Sequence, residues 1–379
     1  MLIACCLYKY FPYGGLQRDF FRIAKEMVTR GHKVRVYVQQ WIGDRPEFFE
    51  IIQVPVSSRT NHGQSKQFSE WVQKHLKKHP VDTVVGFNKM PGLDVYYAAD
   101  VCYEEKVSQQ KTGFLGQVYR LTSRYRHFSQ FEREVFAKGK KTKILMISES
   151  EIKYFKKHYG TEDNRFILLP PGIDQACRYI NQPEGTREQV RLSLSISKEQ
   201  IVLLQVGSNY KLKGVDRSLL GLSALSEELK KKVVYLVVGQ DDPSKFKTLA
   251  HRLGVENNVR FLGPRNDVPS LMTAADIYVH PAYFENTGTV ILEALVAGLP
   301  LLVSGNCGYS FYVNQAQCGS VVSEPFDQGR FNEEFNRLIV DEKQRIECAL
   351  KAKRFSDTQD LYSLTKKATD IILGESNLS

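Results

Sequence analysis

Short apolar runs alternate along the chain with amphipathic segments of helical spacing, and the alternation is interrupted once. Leu2–Leu7 reads as a strand, Gly14-Gly15 as a turn, and Leu16–Thr29 as a helix that Gly31 ends. Lys33–Val38 is the next strand, and others are expected near Glu50–Val54, Thr83–Phe87, Val95–Ala99 and Lys143–Ile147. Around Leu168-Leu169-Pro170-Pro171-Gly172-Ile173 the pattern stops and a polar stretch runs from Asp174 to Gln200. Two prolines and a glycine after a short apolar strand predict a domain hinge. The alternation then resumes: Ile201–Val206 as a strand, a helix from about Gly214, and strands at Val233–Val238, Val259–Leu262, Ile277–His280 and Leu299–Val303. A last amphipathic segment, Asp357–Gly374, is expected to pack back on one of the domains. Strand–helix alternation with short connections implies parallel sheets, so the chain is α/β, two doubly wound domains in tandem. Ligands of such domains sit at the carboxyl ends of the strands.

Composition narrows the class. At 379 residues, 42% hydrophobic and 25% charged, the chain has the length of two to three globular domains, which excludes disorder and disulfide-stapled scaffolds. Lys and Arg outnumber Asp and Glu by 52 to 42, and the net charge of +10 favours anionic partners. No run of eighteen apolar residues is present, and Leu2–Tyr8 lacks the preceding basic flank of a signal peptide. The seven cysteines have no CxxC spacing, the usage expected of a reducing cytosol.

Three segments carry candidate chemistry. Gly14-Gly15-Leu16-Gln17-Arg18-Asp19 follows a strand and opens a helix, where the missing side chain lets a bulky anion approach free N–H groups. A plain reversal of the chain is the alternative, and the dinucleotide fingerprint GxGxxG is absent. Gly207-Ser208-Asn209-Tyr210-Lys211-Leu212-Lys213-Gly214 occupies the matching loop of the second domain and suits a pyrophosphate, with Lys213 supplying charge. It lacks the order GxxxxGK[ST], which disfavours nucleoside triphosphate hydrolysis; surface lysines in a solvated loop are the bland alternative, as for Arg265 at another strand end. His280-Pro281-Ala282-Tyr283-Phe284-Glu285-Asn286-Thr287-Gly288-Thr289 leads into Val290–Ala297, with Glu285 expected before a helix and Glu293 two turns into it. Eight residues apart, the carboxylates would be roughly 12 Å apart were both helical, too far to act on one bond. Separate roles follow: Glu293 toward ligand hydroxyls, Glu285 at the reacting end, the amides of Asn286 to Thr289 on a phosphate. A capped helix with Glu293 facing solvent is the alternative, against which Leu292, Ala294 and Leu295 predict partial burial.

Glu285-x7-Glu293 with the following Ala297-Gly298-Leu299-Pro300, the Gly207…Lys213-Gly214 loop and Gly14-Gly15 together resemble the retaining, nucleotide-sugar-dependent glycosyltransferases of family 4. These have the GT-B fold, two Rossmann-like domains facing a central cleft. The stretches Leu7–Phe20, Gly86–Asp94 and Asp357–Ser363 are similar, more narrowly, to glucosyltransferases of the Gram-negative lipopolysaccharide core. The resemblance implies an acceptor domain over residues 1–170, a donor domain over 171–355, and a tail, 356–379, whose helix crosses back to the first domain. It implies transfer of glucose from UDP-glucose to the second heptose of the inner core, with retention by front-face attack and no metal or other cofactor. Gly15 would face the diphosphate and sugar, Lys213 and Arg265 the phosphates, Glu293 the ribose, and Glu285 with Asn286, Thr287, Gly288 and Thr289 the glucose and diphosphate. Gly172, Ile173, Asn209 and Val268 complete the implied donor pocket. Asp19 and Asp100 are the acidic candidates beside the acceptor, each with a plain structural alternative as helix cap or sheet edge. The chain departs from its relatives at Leu212, where a second cation often precedes Lys213. No DxD pair stands ready for a divalent ion, and Asp241-Asp242 reads as a turn before Pro243.

Between Tyr103 and Lys143, six lysines and four arginines face four glutamates, with seven aromatics interleaved. Arg120, Arg124, Arg126 and Phe128 mix cations with rings as an interfacial segment does on anionic lipid. A lipid-linked acceptor predicts docking on the inner leaflet from the cytoplasm, with nucleic acid excluded as a partner and a basic surface helix as the bland reading. The nearest rival keeps the same fold and chemistry with a different nucleotide sugar or acceptor. Two others have different predictions: a non-catalytic membrane- or nucleic-acid-binding protein would not need Lys213, Arg265, Glu285 and Glu293, and an NAD-dependent oxidoreductase would carry a dinucleotide fingerprint.

Overall fold

The computed structural model describes residues 1–12, 14–111 and 113–375; Tyr13, Thr112 and the 376–379 end of the expected tail lie outside the described residues. The chain forms two units, Met1–Gly172 together with the chain from Ser363 onward, and Ile173–Tyr362.

The main sheet of the first unit has seven strands, β1 (Leu2–Cys6), β2 (Lys33–Val38), β3 (Phe49–Gln53), β4 (Thr83–Gly86), β5 (Val95–Ala98), β6 (Lys143–Met146) and β7 (Phe166–Leu168), beside a small two-stranded sheet of Lys9–Tyr10 and Gln40–Trp41. The seven pair in the order β3-β2-β1-β4-β5-β6-β7, all parallel. Helices cover both faces, which is why β1 is an unbroken apolar run, Ile3 and Cys5 packing on one side and Ala4 and Cys6 on the other. One face receives Phe20, Ile23 and Met27 of the helix Gly15–Thr29, and the other Phe68, Phe131, Phe136 and Phe155.

The second unit repeats the plan with β8 (Ile201–Val206), β9 (Val233–Val238), β10 (Val259–Gly263), β11 (Ile277–His280), β12 (Leu301–Ser304) and β13 (Gly319–Val322), in the order β10-β9-β8-β11-β12-β13 and again all parallel. In each unit the strand order reverses beside the first strand, at β1/β4 and at β8/β11, the switch point where such sheets bind ligands.

Two boundaries differ from expectation. The first unit runs to Gly172 rather than 170, because Arg22 Nη1 donates to the Gly172 carbonyl at 3.0 Å and Leu364 N–H to that of Pro171 at 3.2 Å. The polar stretch after it folds onto the second unit: Thr186–Ser193 is helical, and buried Arg191 donates to the carbonyls of Ala274 and Ser197 and to Asp276. The tail divides at Tyr362/Ser363 instead of 355/356, because the helix Glu342–Thr358 continues to Thr358 before Gln359 turns extended. The helix Leu364–Leu373 then packs into the first unit, burying Leu364, Ala368, Ile371, Ile372 and Leu373, with Asp370 2.5 Å and Glu375 2.9 Å from Arg30.

Candidate active site

The Gly207–Gly214 loop, at the carboxyl end of β8, is shaped by two close approaches. A Cβ on Gly207 would lie 3.0–3.3 Å from the Cε, Cγ and Cδ of Lys213, so the glycine makes room for the lysine stem. Gly214 has φ +74°, and a Cβ there would be 2.0 Å from the Pro281 carbonyl oxygen, so only glycine joins this loop to the segment after β11. Buried Gln205 fixes the loop from below: its Nε2 donates to the Lys213 carbonyl at 2.7 Å, while its Oε1 accepts from Ser218 at 2.8 Å and from Tyr235. Asn209 is left-handed at φ 62° and its Oδ1 accepts Leu212 N–H at 3.2 Å, so it shapes the turn.

The result is an ion pair between residues 72 apart in sequence, Lys213 Nζ to Glu285 Oε2. Burial presses the Lys213 pKa down, so its ammonium depends on an anion beside it. Glu285 is itself held by the loop after β12. Its N–H donates to Asn306 O and its carbonyl accepts from Gly308 N–H, both at 3.0 Å, while Tyr309 N–H donates to Thr287 O at 2.7 Å. Gly308 has no alternative, since a Cβ would come within 1.9 Å of Asn286 O. Arg217 holds the preceding segment, donating to the carbonyls of Pro281 and Ala282 at 3.1 Å with its guanidinium over the Tyr283 ring.

Gly288, at φ +79°, starts the helix Thr289–Val296, so Glu293 lies just over one turn inside it rather than two, and Glu285 and Glu293 do not share a helix. Glu293 is buried, and its charge reaches the buried Tyr278. The phenol of Tyr278 is 3.3 Å from Nδ1 of His280, whose Nε2 is 3.5 Å from Glu285 Oε2. Thus the two carboxylates flank a Tyr278–His280 pair at the end of β11. Both of the His280 ring's faces are enclosed, and burial with the nearby Lys213 charge lowers its pKa to about 3, so it is neutral.

Arg265, exposed, is tied by both arms to Asp267, Nε to Oδ1 at 2.8 Å and Nη2 to Oδ2 at 2.6 Å, which neutralises part of its charge. Val268 begins the helix Val268–Ala274 and is half-buried against the core. Ile173 is a core side chain whose N–H donates to Leu361 O, so any contact it makes with a ligand is through its backbone.

In the first unit, Gly15 opens the first helix with nothing within 4 Å of a would-be Cβ, so packing does not demand its glycine. Asp19 is no cap: it lies in the second turn and accepts from Tyr97 of β5 at 2.8 Å. Asp100 is exposed beyond the end of β5, where its charge reaches Lys89, Tyr8 and Tyr96. Among the described residues no group of three or more His, Cys, Asp or Glu is placed to hold a metal ion.

The basic segment folds as three helices, Tyr103–Gln110, Gly113–Arg120 and Ser123–Phe136. Arg124 and Arg126 are exposed, Arg120 is engaged with Glu104 at 3.4 Å and with Ser108, and half-buried Phe128 lies beneath Arg124. Among the described residues of this segment, the exposed large apolar side chains are Phe114 (77%), Val118 (45%) and Leu121 (67%), at the i, i+4, i+7 spacing of one helical stripe, a signal that mixtures of cations and rings do not carry. No described helix is long and apolar enough to cross a membrane.

Two family models match in tandem, Glycosyltransferase Family 4 over residues 13–176 and Glycosyl transferases group 1 over residues 186–355. Over 374 residues the chain is 55% identical to the lipopolysaccharide glucosyltransferase WaaG of Escherichia coli K12, with 99% of each chain covered. The chain belongs to the WaaG family of glycosyltransferases. The crystal structure of WaaG superposes with a TM-score of 0.92 at 54% identity over 98% of this chain and all of that one. HepE of Anabaena, solved with UDP-glucose, matches at 0.74 and 19% identity over 99% of this chain and 100% of that one, a likeness of fold alone. The chain is therefore a glycosyltransferase with the GT-B fold, which excludes the binding-protein and oxidoreductase readings.

Proposed function

We propose that this chain transfers glucose from UDP-glucose to the second heptose of the lipopolysaccharide inner core, with retention and without a metal ion. The observation that carries this reading is the full-length likeness to a lipopolysaccharide glucosyltransferase, at 55% identity. The Lys213–Glu285 pair at the switch point of the second unit supports it.

Departure of UDP puts charge on the β-phosphate. Lys213, the amides leading into Thr289–Val296 and Arg265 neutralise that charge where it develops. Glu285 hydrogen-bonds the glucose hydroxyls and Glu293 those of the ribose, with Asn286, Thr287, Gly288 and Thr289 lining the diphosphate. In the first unit, Gly15 leaves the start of its helix open to an anion, and Asp19 or Asp100 orients the acceptor hydroxyl. The bond from the anomeric carbon to the β-phosphate oxygen breaks, the heptose oxygen bonds to the same face, and its proton passes to the departing phosphate. The enzyme works at the cytoplasmic face of the inner membrane, held on anionic lipid by Arg124 and Arg126 with Phe114, Val118 and Leu121 inserted.

Calorimetric titration with UDP-glucose and UDP-galactose, with and without EDTA, tests the donor and the metal together. Binding of UDP-glucose that EDTA does not change is expected; no binding, or binding that needs a divalent ion, overturns the reading.

A further inference from the structure

His280 is the last residue of β11, fully buried, and its Nε2 makes no hydrogen bond in the structure. Buried polar atoms without a partner are uncommon, and each calls for a reason. This one points at Glu285 Oε2 from 3.5 Å, just beyond bonding distance, because Lys213 already holds that oxygen.

The ring's tautomer follows from its two neighbours. Nε2 faces a carboxylate, which can only accept, and this contact decides the proton's place; Nδ1, 3.3 Å from the Tyr278 hydroxyl, then accepts a share of the one phenol proton that the Val206 carbonyl also accepts at 3.4 Å. A lone pair on Nε2 would oppose the lone pairs of Glu285, so the proton belongs on Nε2. The pKa of about 3 keeps the ring neutral, so it offers a hydrogen bond to Glu285 without competing as a cation for a phosphate.

We propose that His280 is a positioning residue that exchanges places with Lys213 on Glu285. When Lys213 swings to a diphosphate, the carboxylate it leaves would be a partly buried anion short of a donor, a costly state. A shift of a few tenths of an ångström brings His280 Nε2–H into bonding range and keeps Glu285 aimed at the sugar. The Tyr278 hydroxyl, its one proton shared between His280 Nδ1 at 3.3 Å and the Val206 carbonyl at 3.4 Å, anchors the ring to β8 and sets its tilt. The exchange rests on the functional reading above, since it needs a diphosphate to draw Lys213 away.

The test is calorimetric titration of UDP and UDP-glucose into wild type, His280→Ala, His280→Gln, Glu285→Gln and the double variants. His280→Ala is expected to weaken UDP binding about tenfold, the worth of one hydrogen bond to a charged group. His280→Gln, whose amide nitrogen reaches the position of Nε2, is expected to recover most of that loss. In the Glu285→Gln background, where no anion is left stranded, His280→Ala should cost less than about twofold. Wild-type affinity in His280→Ala, an equal loss in both backgrounds, or no recovery by Gln overturns the exchange. Nitrogen-15 shifts of the ring in the unliganded enzyme give a readout independent of variant folding: a proton on Nε2 supports the proposal and one on Nδ1 overturns it. Should wild type bind neither UDP nor UDP-glucose, the functional reading falls and the exchange with it; normal wild-type binding with an indifferent His280→Ala removes the exchange alone.

Discussion

Removing Glu132 should unfold the first unit far more readily than its single position suggests. Its fully buried carboxylate accepts from Lys89 Nζ at 2.5 Å, Tyr159 Oη at 2.6 Å, Tyr103 N at 2.8 Å and Glu104 N at 3.1 Å. It therefore pairs a buried ammonium and caps the helix Tyr103–Gln110 at once. For Lys89, burial works against the charge, but Glu132 and Asp100 outweigh it and hold the pKa above its ordinary value. Glu132→Ala strands that ammonium and two backbone N–H groups, a loss of about 3–5 kcal/mol. With a urea dependence of about 2 kcal/mol per molar, the unfolding midpoint should fall by roughly 1.5–2.5 M. The chain's two tryptophans, Trp41 and Trp71, both lie in the first unit, so tryptophan emission reports that unit by itself. Replacing both partners, Lys89→Met with Glu132→Gln, should cost less than Glu132→Ala, because no unpaired charge is left. A midpoint shift under about 0.3 M for Glu132→Ala would refute the reasoning.

Gly214→Ala must relieve both a positive φ and a 2.0 Å overlap with Pro281 O, so it should abolish measurable UDP binding while leaving tryptophan emission unchanged. Buried His127, whose Nε2 is 3.0 Å from Ser65 Oγ, has its pKa lowered to about 4 by burial, with His62 and Lys66 adding to the effect. The unfolded chain takes up that proton near pH 6.5 and the folded chain near 4, so stability present above 6.5 drains away between those values. The first unit should lose on the order of 2 kcal/mol from pH 7.5 to pH 5, and His127→Asn should remove that part of the slope in urea titrations at the two pH values. Phe114→Ser with Leu121→Ser should weaken binding to vesicles of anionic lipid even in high salt, whereas Arg124→Ser with Arg126→Ser should do so only at low salt; unchanged co-sedimentation in both pairs would remove the docking surface.

What sequence reveals here depends on how each feature is encoded. Strands buried on both faces leave dense apolar runs, so Val233–Val238 and Ile201–Val206, polar at Gln205 alone, were legible to the residue. The Gly207–Gly214 loop was legible because glycine and lysine types announce its chemistry. The brace around Glu285 was not, since Asn306, Gly308 and Tyr309 act through carbonyls and amides that every residue carries. His280 stood in plain sight, but its role comes from distances to Glu285 and Tyr278 that no spacing reports. Asp174–Gln200 read only as a polar stretch, because the sequence does not show that the Arg187 and Arg191 side chains bond Asp276 and backbone carbonyls.

The first unit is closed by a helix that the chain supplies only after the whole of the second unit, Ile173–Tyr362, has been made. A ribosome thus releases β1 through β7 with the groove for Leu364, Ile371 and Ile372 still bare, and Arg30 still without Asp370. The nascent first unit must keep that apolar strip from other chains until Leu364–Leu373 has been made. A stop codon shortly before Ser363 would therefore injure the half of the protein synthesised first, leaving the later half with its own sheet complete.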